Sequence, residues 1–109
     1  MPIGQAEVRR RQIMTDIAKM GPCLPGGLVN RTTRCGTPSC GCHSDPSRLH
    51  GPYLSWIRKV GAKTVTRNLD LMQAERYRPW FENSKRLRAL VAELESVSAQ
   101  IAVEAEQWG

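Results

Sequence analysis

The sequence predicts an α+β fold, in which an N-terminal helix precedes a zinc knuckle with a short β-hairpin, and a long C-terminal helix pairs with the first. Three observations predict this fold: an apolar stripe over residues 5–20, three closely spaced cysteines within residues 22–52, and a longer apolar stripe towards the C-terminus. A chain of 109 residues has the size of one domain. We therefore expect a single domain over residues 1–109.

Residues 5–20 have the spacing of an amphipathic helix. The arginines at positions 9–11 fall mostly outside its apolar stripe. The stripe itself consists of Ala6, Ile13, Ile17 and Met20. Gly21 and Pro22 follow, and this pair predicts the helix end, because glycine suits a left-handed cap and proline cannot continue a helix.

A cluster of metal-ligand residue types follows, in a segment (22–52) whose Gly, Pro, Cys and Ser content predicts loop and short extended pieces. Thiolate and imidazole are the ligands that Zn²⁺ prefers, and closed sets of four hold small domains together rather than performing chemistry. Cys40 and Cys42 flank Gly41, so both side chains lean towards one face. Cys35 reaches them across a Gly-Thr-Pro-Ser turn.

Three residues are candidates for the fourth ligand. His50 is favoured, because the turn-forming residues 44–47 let the chain return to Cys42. His43 is disfavoured, because adjacent residues in an extended chain point opposite ways. Cys23 is more typical of a small buried apolar residue. The predicted Zn²⁺ ligands are Cys35, Cys40, Cys42 and His50. His43 and Cys23 stay open as alternatives.

Residues 53–68 predict a β-hairpin, because aromatic and β-branched residues flank a turn that contains Gly61.

Residues 70–108 predict a long helix, and Asp70 and Gln73 have the spacing of a capping box at its beginning. Pro79 predicts a kink or a restart. The apolar seam beyond it is Trp80, Leu87, Leu90, Leu94, Val97, Ile101 and Trp108. We expect this seam to pack on the first helix in the same chain, and a coiled coil between two chains is the alternative.

Charge is unevenly distributed along the chain. Residues 1–88 hold all 16 Lys and Arg, whereas residues 89–109 hold four acidic residues and no basic one. A basic body indicates a nucleic-acid or other polyanion surface, and the alternative is that the acidic end pairs with a basic element. The residues expected to contact phosphates are Arg31, Arg34, Arg48, Arg58, Lys59, Lys63 and Arg67. Trp56 and Tyr53 lie beside them and either stack on bases or, as is commoner in a half-buried hairpin, belong to the core.

Several motifs together resemble a family of small prokaryotic proteins of unknown function. They are Gly21-Pro22-x-Leu24-Pro25-Gly26-Gly27-Leu28, Cys35-Gly36-x-Pro38-x-Cys40-x-Cys42, His50-Gly51-Pro52-Tyr53-Leu54-Ser55-Trp56, Gly61-x-Lys63-Thr64-Val65-Thr66-Arg67 and Glu82-Asn83-x-x-Arg86-Leu87-Arg88. The resemblance covers roughly residues 20–95. It implies His50 rather than His43 as a ligand, leaves Cys23 outside the metal set, and implies a setting among the transposase or recombinase genes of mobile elements.

Catalytic patterns are missing from the sequence. Ser39 and Ser55 lack an evident His and Asp arrangement, and no glycine-rich phosphate loop precedes a helix. We therefore expect no enzyme, but a zinc-stabilised accessory protein that binds nucleic acid, with DNA as the first choice. The alternative is an adaptor that docks through its C-terminal helix to a larger enzyme or to a second copy. No apolar run predicts a membrane span and the N-terminus lacks a secretory pattern, so we expect a cytoplasmic location and no membrane partner.

Overall fold

The computed structural model describes residues 2–109, and these form two helices and one sheet. The helices are α1 (Ile3–Lys19) and α2 (Leu71–Glu106), and the strands are β1 (Gly27–Thr33), β2 (His50–Val60) and β3 (Lys63–Leu69). Short 3₁₀ turns at Gly41–His43 and Pro46–Arg48 lie between β1 and β2. The α+β prediction is confirmed. The described residues form two compact units, a helical unit (2–23 with 82–109) and a sheet unit (Leu24–Phe81), and the single-domain organisation stays a prediction.

The helical unit contains the helix pairing that the sequence predicts. Its buried residues are Ala6, Ile13, Leu90 and Val97, and Ile17, Met20, Leu94 and Ile101 pack around them. At one end of the pair, the Asn83 side-chain amide donates a 3.0 Å hydrogen bond to the Pro22 carbonyl. The middle of the predicted seam, from Leu90 to Ile101, therefore packs on α1 of the same chain. Its two ends differ from the prediction, because Trp80 belongs to the sheet unit and Trp108 is 63% exposed beyond the end of the helix.

Helix α2 begins with the predicted capping box. The Gln73 backbone N–H donates to Asp70 Oδ1 at 2.7 Å, and the Asp70 N–H donates to Gln73 Oε1 at 3.0 Å. The helix then continues through Pro79 to Glu106, so the structure has no restart at the proline. Proline leaves the carbonyl of Glu75 without its helical donor, and both residues are exposed, so water can bond that carbonyl.

The sheet is antiparallel with strand order β1-β2-β3, and it has one strand more than the predicted hairpin. Residues 27–33 lie in the segment predicted to form loop and short extended pieces, and they form a full strand of the sheet. This short run with β-branched residues is flanked on both sides by glycine, proline and cysteine, which are typical of loops. Gly26 precedes this strand with φ of +77°, and a Cβ there would fall on the Ile57 carbonyl oxygen. A glycine at this position therefore lets β1 lie beside β2.

Strand register assigns each side chain to one of two sheet faces. Leu28, Trp56 and Arg67 lie opposite one another across the three strands. Trp56 packs edge-on against Phe81 of α2, with ring centroids 6.0 Å apart, so this face is turned towards the helix. Alternation places Tyr53 on the opposite face.

Neither helix, over the part of the chain that the structure describes, combines the length and apolar character needed to cross a bilayer.

Candidate metal centre

The predicted ligands lie in the connection between β1 and β2. The 3₁₀ turn at Gly41–His43 carries Cys42, and a second turn at Pro46–Arg48 leads to His50, the first residue of β2. Asp45 caps the second turn by accepting bonds from the Ser47 N–H at 3.0 Å and the Ser47 hydroxyl at 2.8 Å. These bonds lower the pKa of Asp45. The two turns fold the chain back, so that His50 returns to the cysteines.

The four predicted residues form one cluster of donor atoms. The ligand atoms of Cys35, Cys40, Cys42 and His50 all lie within 4.8 Å of one another. The Sγ atoms of Cys35 and Cys42 are 3.6 Å apart, and Cys40 Sγ is 3.4 Å from His50 Nε2. A tetrahedral zinc ion with ordinary bond lengths needs about 3.8 Å between two sulfurs and about 3.5 Å between sulfur and nitrogen. These two distances match the spacing that a tetrahedral metal ion requires, and the other donor pairs lie within 4.8 Å.

The two alternative ligands lie outside this cluster. The Nε2 atom of His43 is 2.8 Å from the carbonyl oxygen of Cys35, with which it forms a hydrogen bond. Cys23 belongs to the helical unit, and its Sγ is 3.5 Å from the sulfur of Met20. The structure thus brings together the four preferred residues and leaves both alternatives in other contacts.

Hydrogen bonds and burial move the pKa values of the cluster in different directions. A backbone hydrogen bond at Thr37 lowers the pKa of Cys35 to about 6, and a backbone hydrogen bond at Cys42 lowers the pKa of Cys40. Burial raises the pKa of Cys42, and the bond to Cys40 raises the pKa of His50. Two thiols therefore favour the thiolate form that binds metal, and a cation would favour the same form at Cys42.

Two arginines contact the backbone of this loop. Arg34 Nε donates to the Cys42 carbonyl at 3.3 Å. The Arg48 guanidinium lies against Gly41, where a Cβ would be 2.6 Å from Arg48 Cζ. A zinc ion with three thiolates and a neutral imidazole carries one negative charge, so these cations lie where they would offset it.

The comparisons with known proteins assign the chain to a family. A model of a domain of unknown function, DUF6788, matches residues 4–71. The chain belongs to the DUF6788 family. The match contains all but the first residue of α1, the whole sheet and all four clustered residues, and it starts and ends earlier than the resemblance, which covers roughly residues 20–95. Comparisons with curated proteins and with solved structures find no match.

In this DUF6788 chain, the other five residues predicted to contact phosphates lie on the strands and are divided between the two faces of the sheet. Arg58 lies on the helix-facing side, with its guanidinium 4.0 Å from the centre of the Trp56 ring. Register places Lys63 and Arg67 on the same side, whereas Arg31 and Lys59 lie on the opposite side. The sequence predicts one basic patch around a turn. Because side chains alternate along each strand, these residues instead form two groups on opposite faces of the sheet.

The sheet unit carries the whole net charge of the chain. It contains nine basic residues and three acidic ones, which equals the net +6 of the full sequence, whereas the helical unit contains seven of each. Each of the three acids is engaged within the unit: Asp45 and Asp70 cap helical turns, and Glu75 pairs with Arg78 at 3.5 Å. Among the described residues, none of the seven predicted phosphate-contacting residues forms an ion pair.

Sequence analysis missed a cavity in the sheet unit. It has a volume of about 300 Å³, and its walls are Leu24, Trp56, Arg67, Leu69, Gln73, Tyr77 and Phe81. Its residues come from β2, β3, α2 and the segment before β1, so no single motif contains them. The sequence signal for such a site is the group of three aromatic residues within positions 77–81, namely Tyr77, Trp80 and Phe81.

Proposed function

We propose that this protein is a zinc-stabilised nucleic-acid-binding accessory protein, with DNA as its ligand, and that it is not an enzyme. The observation that supports this proposal most strongly is the set of unpaired cations on the sheet unit. We place the protein with the DNA-processing machinery of a mobile element on the basis of the family resemblance. We place it in the cytoplasm, where reducing conditions favour thiolate ligands over disulfides.

The distribution of ion pairs supports a polyanion surface on the sheet unit specifically. In the helical unit, Arg9 pairs with Glu93, Arg10 with Glu7, and Lys85 with Glu82. Acidic partners therefore offset much of the basic charge there. The sheet unit has no comparable acidic partners, so its cations repel one another until an anion binds. Regularly spaced phosphates are the ligand that neutralises several such residues at once.

Zinc has a structural role in this proposal. A set of three thiolates and one imidazole suits Zn²⁺, and four protein ligands leave no open coordination position for a substrate. The metal would instead fix the loop that carries Arg34 and Arg48. We therefore assign the cluster to the stability of the sheet unit, and the phosphate contacts to the basic side chains around it.

Fluorescence anisotropy with a labelled duplex DNA, measured over a range of salt concentrations, tests the proposal. The Lys63→Ala/Arg67→Ala variant removes two unpaired cations from the sheet unit. The control Arg11→Ala/Lys19→Ala removes two exposed, unpaired cations from α1, so both variants have the same net charge. We expect the first to weaken binding and to make the slope of log affinity against log salt shallower by about 2, at about 0.9 per phosphate contact.

The control variant should bind like the parent protein. Equal weakening in both variants would contradict a specific surface on the sheet unit. An absence of binding to any DNA or RNA at low salt would refute the proposal and favour the adaptor. Val91 and Val103, which are exposed apolar residues of α2 within the helical unit, would then be the first place to look for a protein partner.

A further inference from the structure

We propose that the cavity between the sheet and the beginning of α2 binds an unpaired nucleobase together with its attached phosphate. This inference rests on the proposed function and specifies which form of nucleic acid the protein prefers. All seven lining residues belong to the sheet unit. The volume of about 300 Å³ lies at the lower end of the range for small-molecule sites, about 300–1,000 Å³.

The walls of the cavity are largely aromatic. Trp56, Tyr77 and Phe81 line it. Phe81 meets Trp56 nearly at right angles (77°), and Tyr77 meets Trp80 at 74° with ring centroids 4.9 Å apart. The Trp56 indole N–H donates to the Pro25 carbonyl at 2.8 Å, which fixes the ring and leaves it no free donor. Rings held in this way form a preorganised apolar site for a flat aromatic ligand.

Two of the lining side chains, Gln73 and Tyr77, carry hydrogen-bonding groups that have no partner within the described chain. The Oε1 atom of Gln73 accepts the Asp70 N–H, and within the described chain the side-chain NH₂ of Gln73 has no partner. No described residue forms a hydrogen bond with the Tyr77 hydroxyl. A nucleobase carries ring nitrogens and carbonyl oxygens around its edge, so it can accept from both groups while its faces contact the rings.

Two arginines lie next to the cavity, one in its lining and one stacked on a lining ring. Arg67 is exposed, lines the cavity and lies opposite Trp56 in the strand register. Arg58 stacks on the same tryptophan, 4.0 Å from the ring centre. The lining contains no acidic residue, and the neighbouring Asp70 is engaged in the helix cap. The complementary ligand is therefore flat and aromatic with an anionic group beside it, and a nucleotide has this chemistry.

The geometry selects unpaired nucleotides over paired ones. A base within a duplex is stacked on both faces and cannot enter a cavity unless it leaves the helix, which costs free energy. A base that is already unpaired enters without that cost. The same chemistry is present in a free mononucleotide, so the experiment needs a separate arm for each source.

The first measurement compares two labelled DNA duplexes by fluorescence anisotropy, one fully paired and one with a single additional unpaired adenine. We expect the parent protein to bind the second about tenfold more tightly. With 2-aminopurine as the unpaired base, binding should quench its fluorescence, because the base stacks on aromatic rings. Adenosine monophosphate serves as a competitor of the duplex with the unpaired adenine. If the affinity for adenosine monophosphate is higher than the affinity for that duplex, the ligand of the cavity is the free nucleotide.

The second measurement uses the two tyrosines of the chain as a matched pair. Tyr77→Leu removes an aromatic wall but keeps an apolar side chain, and Tyr53→Leu makes the same change on the opposite face of the sheet. We expect Tyr77→Leu to abolish the preference for the unpaired base while leaving affinity for the paired duplex unchanged. Tyr53→Leu should keep the preference.

Equal affinity of the parent for both duplexes, an unquenched 2-aminopurine, or a full preference in Tyr77→Leu would each overturn the inference. If Tyr77→Leu does not fold, the affinity ratio and the quenching of the parent protein decide the question. Failure of the proposed function looks different, because in that case neither duplex binds at all.

Discussion

Arg9 of α1 and Glu93 of α2 form a two-pronged ion pair across the helical unit. The guanidinium Nε and Nη2 atoms donate to the two carboxylate oxygens, the second bond at 2.7 Å. The bond raises the pKa of Arg9 and lowers the pKa of Glu93. One of the four acids in the C-terminal segment is thus paired with the arginine-rich first helix. The sequence left open whether the acidic C-terminal end pairs with a basic element of the chain, and within the helical unit Glu93 forms such a pair.

The pair makes the stability of the helical unit depend on pH. The pKa of Glu93 in the folded protein lies below its ordinary value of 4.5. The carboxylate therefore contributes stability above about pH 4.5, and this contribution is lost as pH falls through the lower, folded-state pKa. We expect Glu93→Gln to lower the melting temperature at neutral pH, and the difference from the parent to shrink as the pH falls below the ordinary carboxyl pKa of 4.5 and Glu93 is protonated.

Glu104→Gln is the control for this experiment, because Glu104 lies on the same helix and forms no ion pair with any described residue. Its melting temperature should follow that of the parent at every pH. Circular dichroism at the helical band provides the measurement. A Glu93→Gln variant that melts like the parent at neutral pH would show that the pair contributes nothing to stability.

The cluster should bind one zinc ion per chain. Cys40→Ser removes a clustered thiol, whereas Cys23→Ser removes a thiol that lies outside the cluster. We expect Cys40→Ser to lose zinc and to melt at a lower temperature, and Cys23→Ser to keep both properties, because metal affinity contributes directly to folding. Elemental analysis together with thermal melting distinguishes them. Zinc well below one ion per chain in the parent would contradict the assignment.

The helix pairing predicts different effects for two valines of α2. Val97 is 5% exposed and belongs to the buried core, whereas Val103 is 40% exposed. We expect Val97→Asp to destabilise the helical unit by more than about 3 kcal/mol, because it buries an unpaired carboxylate. Val103→Asp should change stability by no more than about 0.5 kcal/mol. Similar losses in both variants, dependent on protein concentration, would instead indicate that α2 pairs between chains.

Two neighbouring glycines should respond differently to alanine. A Cβ at Gly26 would fall on the Ile57 carbonyl oxygen, and its φ of +77° disfavours any side chain. At Gly27 a Cβ would meet nothing within 4 Å. We expect Gly26→Ala to lower the free energy of unfolding of the sheet unit by about 1–3 kcal/mol or more, and Gly27→Ala to leave it nearly unchanged. Denaturant melts followed by tryptophan fluorescence measure both, and equal stability would contradict the close approach of β1 and β2.

Much of the metal centre could be predicted from sequence because its geometry is local. Cys35, Cys40, Cys42 and His50 lie within 16 residues, and the intervening turns leave few ways to arrange them. The capping box of Asp70 and Gln73 is local for the same reason. The helix pairing was also predictable, since an apolar stripe must be covered and α1 carries the complementary stripe.

Other features depend on the pairing of residues far apart in the chain. The sequence alone determined the donor set, the helical stripes and the surplus of basic residues. Only the tertiary structure decided that residues 27–33 form a third strand, that the net charge lies on the sheet unit, and that Trp56, Arg67 and Tyr77 surround one cavity. The physical reason is that strand register and packing set these contacts, and both depend on which distant segments meet rather than on the spacing within any one segment.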